Sequence, residues 1–404
     1  MKAAEPSFDF PTETVREGTT SVVVPRLEAF VEKAWEYAPS KAPVFYNPVM
    51  ALNRDLAVLA LQAYQELVNR KISACEPLSG CGIRGIRWAL EVEGVSRIVL
   101  NDINEKAAKL AGFNVQYSNL GKCISVLNED ANLLLSRYAA PRKRFDYIDV
   151  DPFGSPVPYM ESAIRALRDN GLLALPATDL ASLCGVHPRA CVRKYGGGSL
   201  RTEYCHELAV RLLAGCLTMT AAKHEMGSEV LFSHSTDHYI RVYVVAHCGA
   251  RRTDKSIQKM GYVIHCFTCF HREMSRGLFS SLKQECPECG SEMSVAGPLW
   301  LGKMSDEAFC AAMERALGKR KLRNQKTILR LLSLAKSEAQ APPTYYVTDK
   351  ICDRLGLPIP PLIEVLKALR KAGFQATPTH FSSRGVRTDA PAKVVKGIVA
   401  KLVT

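Results

Sequence analysis

The stretch that decides the fold is ISACEPLSGCGIRGIRW, residues 72–88. Residues 72–78 are small or apolar apart from Glu76 and read as a short buried strand. A turn with Gly80, Gly82 and Gly85 follows, and IRGIRWALEVE (83–93) has helical periodicity. Glycines there let the backbone turn sharply and approach a ligand, with a helix N-terminus behind them. Gly80-Cys81-Gly82-Ile83-Arg84-Gly85 also fits the dinucleotide fingerprint by letter, so the turn alone names no ligand.

Working outward, the same alternation repeats. LAVLALQAYQELVN (56–69) predicts an amphipathic helix upstream. Downstream come strand RIVLND (97–102), helix 104–120, strand and turn CISVLNED (123–130) and strand FDYIDVD (145–151). Helix 157–169, strand GLLALPATD (171–179), helix 200–222 and strands near 229–235 and 239–247 complete the set. Strands separated by helices of 10–15 residues predict a parallel, doubly wound α/β sheet with ligands at the strands' carboxyl ends. The last two strands have no helix between them, which predicts an edge hairpin. Gly196-Gly197-Gly198 marks a loop.

The 404 residues exceed one comfortable core, so two domains are expected, with the boundary where the pattern changes near residue 255. Residues 1–255 hold 30 Lys+Arg against 28 Asp+Glu, whereas residues 256–404 hold 23 against 12. A basic domain of net +11 beside one of net +2 suits a polyanion gripped by one and processed by the other. No apolar run reaches the roughly 18 residues that span a bilayer, and the polar N-terminus has no apolar signal core. A cytoplasmic chain without membrane attachment is expected, and no feature calls for an obligate protein partner.

Four of the 14 cysteines stand apart: Cys266 and Cys269, then sixteen residues, then Cys286 and Cys289. Paired C-x2-C with this spacing is the donor set of a closed, structural Zn2+ site of the ribbon type, about 262–294. The other ten cysteines read as core residues. A basic helical stretch (304–337) follows. Residues 344–404 then read as two helices and a small β-wing, a winged-helix-like unit; another small α/β domain would carry the same periodicity.

The chemistry concentrates at strand ends. Asp102 ends the second strand, where a carboxylate meets the hydroxyls of a ribose. Asp130, followed by the small Ala131, suits an adenine amine and ring nitrogen; a helix cap is the plain alternative. The fourth strand runs into Asp149-Val150-Asp151-Pro152-Phe153-Gly154, which as composition alone is a good turn. Asp149 has a purely structural reading. Arg54 and Arg84 have a plain reading as surface charges on helices.

In this order the four strand ends resemble the S-adenosylmethionine-dependent methyltransferases of the Rossmann type. Their amino-methylating members carry Asp/Asn-Pro-Pro-aromatic, and Gly154 departs from that tetrad. The chain is similar instead to the tRNA (guanine-26-N2) dimethyltransferase family. The likeness rests on FYNPVMALNRDL (45–56), SGCGIRGIR (79–87), DVDPFGSP (149–156), ATDLASLCG (177–185), YGGGSLRTEYCHELAVRLL (195–213) and THFSSRGVRTDAP (379–391). The resemblance implies S-adenosylmethionine held by Arg54, Arg84, Asp102, Asp130 and Ala131 beside Gly80 and Gly82. It implies Asp151 and Phe153 as catalytic residues, stiffened by Pro152, and tRNA as partner. The zinc site follows from the cysteine spacing and not from this resemblance. Two other functions share much of this pattern: an amino-methyltransferase on another nucleic acid, and a non-catalytic RNA-binding protein.

Overall fold

The computed structural model of the chain describes residues 8–31, 38–236, 238–279 and 281–403; the first seven residues of the polar N-terminus lie outside them. A hairpin comes first, β1 (Thr12–Glu17) and β2 (Thr20–Pro25), then α1 (Ala51–Val68). The alternating core follows: β3 (Ile72–Glu76), α2 (Ile83–Glu91), β4 (Val95–Asn101), α3 (Glu105–Tyr117), β5 (Ile124–Leu127), α4 (Ala131–Tyr138), β6 (Phe145–Asp149), α5 (Val157–Ala166) and β7 (Leu167–Ala177). Short helices α6 (Leu180–Leu183) and α7 (Pro188–Tyr195) precede the long α8 (Cys205–Ala222) and the hairpin β8 (Met226–Thr236) and β9 (Tyr239–Cys248).

The sheet order is β5-β4-β3-β6-β7-β9-β8. Strands β3 to β7 pair in parallel, and β8 with β9 antiparallel at one edge, so the expected doubly wound sheet and edge hairpin are both present. Strand β3 is buried along its whole length, as a central parallel strand must be. The chain runs outward from β3 to β5 and returns to β6, which makes the β3/β6 crevice the switch point where ligands bind in such sheets. Cys75 lies beside Ile148, so the next residues, Glu76 and Asp149, meet at the strands' carboxyl ends.

The rest comprises α9 (Ala250–Ile257), β10 (Met260–His265), β11 (Arg272–Arg276), β12 (Ser294–Trp300), α10 (Glu307–Gly318), α11 (Gln325–Glu338), β13 (Tyr346–Val347), α12 (Thr348–Leu355), α13 (Leu362–Lys371), β14 (Ala376–Thr379), β15 (Ser382–Thr388) and α14 (Ala392–Lys401). The antiparallel sheet β11-β10-β12 carries the four spaced cysteines. Sheet β13-β15-β14 joins α12, α13 and α14 around a core of Ile351, Val365, Leu369, Val386 and Val395. Helix α14 completes the expected two helices and wing. Gly198, in the expected loop, exchanges backbone hydrogen bonds with Gly297 at 2.8 and 2.9 Å. Among the described residues no helix is long and apolar enough to cross a membrane.

The chain divides into two compact units that interleave along the sequence. One takes residues 1–152, 161–175 and 311–330; the other takes 153–160, 176–310 and 331–404.

Candidate functional site

In the first unit the glycine-rich turn closes as a tight cradle. Gly82 caps α2 with φ +78°, and a Cβ there would sit 3.1 Å from Ala111 and Leu100. At Gly85 a Cβ would meet Leu100 Cδ2 at 2.3 Å, so the glycine is what lets α2 lie against β4. The Gly80 N–H donates to Asp102 Oδ2 at 2.8 Å, and Asp102 Oδ1 accepts from Asn104 N at 3.0 Å. Turn and ribose candidate are thus one hydrogen-bonded unit at the tips of β3 and β4. Asp130 is exposed and caps α4, accepting from Leu133 N at 3.0 Å, and Ala131 is buried as the first residue of that helix. The cap and the adenine contact are compatible, since a carboxylate has two oxygens.

The two arginines are far from being surface charges. Arg54 is buried on α1 and gives Nε to Glu17 at 2.7 Å, with Tyr46 OH on the same carboxylate at 3.0 Å. Arg84 is buried on α2 and its guanidinium forms the hub of the β3/β6 crevice. It donates to Asp149 Oδ1 at 2.7 Å, to Asn53 Oδ1 at 3.2 Å, and to Asp151, and lies 3.6 Å from Glu76. Asp149 ends β6, and Val150 N–H still bonds Ala174 O at 3.1 Å, so the backbone stays extended past the strand and Asp151 reaches the same cation. Asp149 is fully buried and also accepts from Tyr147 OH at 2.8 Å, whereas the Asp151 side chain keeps 20% of its surface. The inner carboxylate therefore orients Arg84, and the outer one faces the crevice. Glu76, at the tip of the first strand, was no sequence candidate; its signal is an acid ending an otherwise apolar strand. Burial pushes its pKa up to about 8, opposed by Arg84 and reinforced by Asp149 and Asp151.

Within the second unit, Phe153 presents 71% of its surface to solvent. The next residue, Gly154, exchanges hydrogen bonds with Thr178: N–H to Oγ1 at 2.9 Å, and Thr178 N–H to its carbonyl at 2.9 Å. Asp179 is held in turn by Tyr195 OH at 2.6 Å and Lys194 Nζ at 2.9 Å. Thr178 and Asp179 thus buttress the loop after Phe153. Tyr204 and Glu207, at the start of α8, are core residues: both are fully buried, Tyr204 beneath Arg272 and Glu207 paired with Arg211 and Arg387.

The four spaced cysteines converge. Sγ atoms of Cys266 and Cys289, and of Cys269 and Cys286, stand 3.5 Å apart, close to the edge of a tetrahedron around Zn2+ with bonds of about 2.3 Å. Each pair sits on the same turn: Phe270 N–H returns to Cys266 O at 3.0 Å and Gly290 N–H to Cys286 O at 2.8 Å. Both closing residues are left-handed, with φ +64° and +71°. This donor set fits a structural zinc ion.

The model of the family described as N2,N2-dimethylguanosine tRNA methyltransferase matches residues 19–400. The chain belongs to that family. Among its members, the tRNA (guanine(26)-N(2))-dimethyltransferase of Methanothermobacter thermautotrophicus is 42% identical over 389 residues, 96% of this chain and 99% of the relative. The tRNA (guanine(26)-N(2)/guanine(27)-N(2))-dimethyltransferase of Aquifex aeolicus is 36% identical, with 93% of each chain covered. The solved complex of Trm1 from Pyrococcus horikoshii with S-adenosyl-L-methionine superposes with a TM-score of 0.84 at 35% identity, covering 96% of this chain and 99% of that one. For this dimethyltransferase family member the β3/β6 crevice also fits such a cofactor by its own chemistry. A cradle that side chains would fill, a helix N-terminus and a strand-tip carboxylate ordered by the turn are what a nucleoside with a short charged arm requires.

Proposed function

We propose that this chain transfers methyl groups from S-adenosylmethionine to the exocyclic N2 of guanine 26 in tRNA, giving N2-methylguanosine and N2,N2-dimethylguanosine. The observation that carries the reading is Asp151, a part-exposed carboxylate at the switch point, oriented by a buried arginine and two residues before an exposed phenylalanine. Gly80, Gly82, Asp102, Asp130 and Ala131 hold the cofactor, with Arg54 and Arg84 shaping the floor through their ion pairs. The cofactor supplies a methyl group on a sulfonium, ready for in-line displacement.

The protein's own part is to make a poor nucleophile reactive. The N2 lone pair of guanine is delocalised into the ring. Asp151 accepts an N2–H, which returns electron density to nitrogen, and takes the proton as the new bond forms. Arg84 fixes the rotamer of that carboxylate, so the acceptor is aligned before the base arrives. Pro152 stiffens the turn and offers no N–H, leaving neighbouring carbonyls for a second amine hydrogen. Phe153 stacks on the base, which must leave the folded RNA to reach the crevice. Residues 256–404, with net +11, grip the tRNA through the ribbon and the winged-helix-like unit; residues 1–255 carry the chemistry. The zinc ion is structural, and the site of action is the cytoplasm.

The test is nucleoside mass mapping after incubation with unmodified tRNA and isotopically labelled cofactor. Methylation of N2 at guanine 26 is expected. Transfer only to another nucleic acid, or the absence of cofactor binding in calorimetry, overturns the reading.

A further inference from the structure

A second cluster of metal-ligating side chains lies in the same unit as the ribbon. Cys184, Cys205 and His206 each offer one ligand atom, and the three atoms lie within 4.8 Å of one another. Residues 185–204 separate the two cysteines, so no local motif announces the cluster; the chain crossing builds it. Cys184 ends α6, its N–H donating to Leu180 O at 2.7 Å. Gly185, at φ +84°, lies so close to Leu200 and Arg201 that a Cβ would meet their backbone at 2.4 Å. Ser199 Oγ adds a hydrogen bond to Ser182 O at 2.7 Å. These contacts carry Cys184 to the first turn of α8, which begins at Cys205 and His206.

We propose that Cys184, Cys205 and His206 form a second metal site, selective for a soft divalent cation of the zinc class, with three protein ligands and one open position. Two thiols and an imidazole are the donor set that zinc prefers over hard, oxygen-seeking cations. A tetrahedral ion with bonds of about 2.3 Å spaces sulfur ligands about 3.8 Å apart, inside the 4.8 Å within which the three ligand atoms lie.

The placement gives the site a consequence. Helix α6 starts directly after Thr178 and Asp179, and Thr178 holds Gly154 by two hydrogen bonds. A metal joining the end of α6 to the start of α8 steadies the segment that supports the loop of Phe153. The inference stands apart from the proposed methyl transfer, because its readout is metal content.

The experiment uses the full-length chain and elemental analysis by mass spectrometry. The wild type is expected to hold about two zinc ions per chain, and Cys184→Ser or Cys205→Ser about one. Cys286→Ser removes the ribbon's ion instead, and after cobalt exchange it should keep a thiolate-to-cobalt charge-transfer band that the added Cys184→Ser abolishes. Should Cys184→Ser fail to fold, alkylation of the wild type decides: a chelator should unmask Cys184 and Cys205 in peptide maps. About one zinc per wild-type chain, unchanged by Cys184→Ser, overturns the proposal. So do equal alkylation with and without chelator, and a Cys184–Cys205 disulfide in the unreduced native protein.

Discussion

Replacing Asp151 by asparagine tests the proposed chemistry most directly. The substitution keeps the side chain's shape and one oxygen that can accept from Arg84, and Arg84 retains Asp149 at 2.7 Å and Asn53 at 3.2 Å. The stability cost is therefore that of weakening one charge-assisted hydrogen bond at a side chain with 20% of its surface exposed, about 1 kcal/mol. The amide cannot take a proton. Losing a positioned general base removes about 10²- to 10⁴-fold of rate, or about 3–5 kcal/mol of barrier. Single-turnover transfer of labelled methyl to unmodified tRNA, with tRNA binding and urea melts on the same preparation, separates these quantities. The expected pattern is a rate lowered at least about a hundredfold with binding near wild type. A rate within about tenfold of wild type refutes Asp151 as the base, and equal losses of binding and turnover assign it a structural role.

Removing the hub has a different signature: Arg84→Met leaves fully buried Asp149 without its cation and should cost about 3–5 kcal/mol in urea unfolding; an unchanged midpoint contradicts the ion-pair reading. Glu76 has its folded pKa raised from 4.5 to about 8, so its contribution to stability is full below its unfolded pKa and is lost as pH rises through about 8. Glu76→Gln, which cannot ionise, should flatten that fall between about pH 5 and about pH 9, and parallel profiles for the two proteins would rule the shift out. Phe153→Ala should weaken the hold on the extruded base by about 1–3 kcal/mol while leaving cofactor affinity untouched, read by kinetics and calorimetry respectively. Cys286→Ser should release zinc and lower the melting temperature; no zinc in the wild type together with an unchanged melt would dispose of the ribbon.

Much of the site was legible because its residues sit at strand tips, and a tip is found by counting period-two and helical runs. Asp102, Asp130 and Asp151 are all of this kind, and each lies just beyond the end of a parallel strand, Asp130 as the cap of the following helix. The cysteine pairs were legible for another reason, since C-x2-C fixes two ligands on one turn whatever surrounds it. The roles of the arginines were not. Arg54 and Arg84 face inward from helices whose other residues are largely apolar, and only the packing of α1 and α2 reveals which carboxylates they meet. The hairpin β1–β2 was also missed, because β1 is largely polar and uncovered while only β2, with Val22 and Val24, is buried.

By itself, the sequence determined the alternation of strands and helices, the glycine turn and the paired cysteines, since each is written in local periods and spacings; the strand order that makes β3/β6 the switch point was not among them. Tertiary structure alone decided that Glu76, Asp149 and Asp151 share one guanidinium. It also decided that Tyr204 and Glu207 belong to the core, and that Cys184 meets Cys205 and His206. The physical reason is the same in every case. Burial and pairing of charge depend on which elements pack together, and a chain crossing brings residues into contact that no local spacing relates.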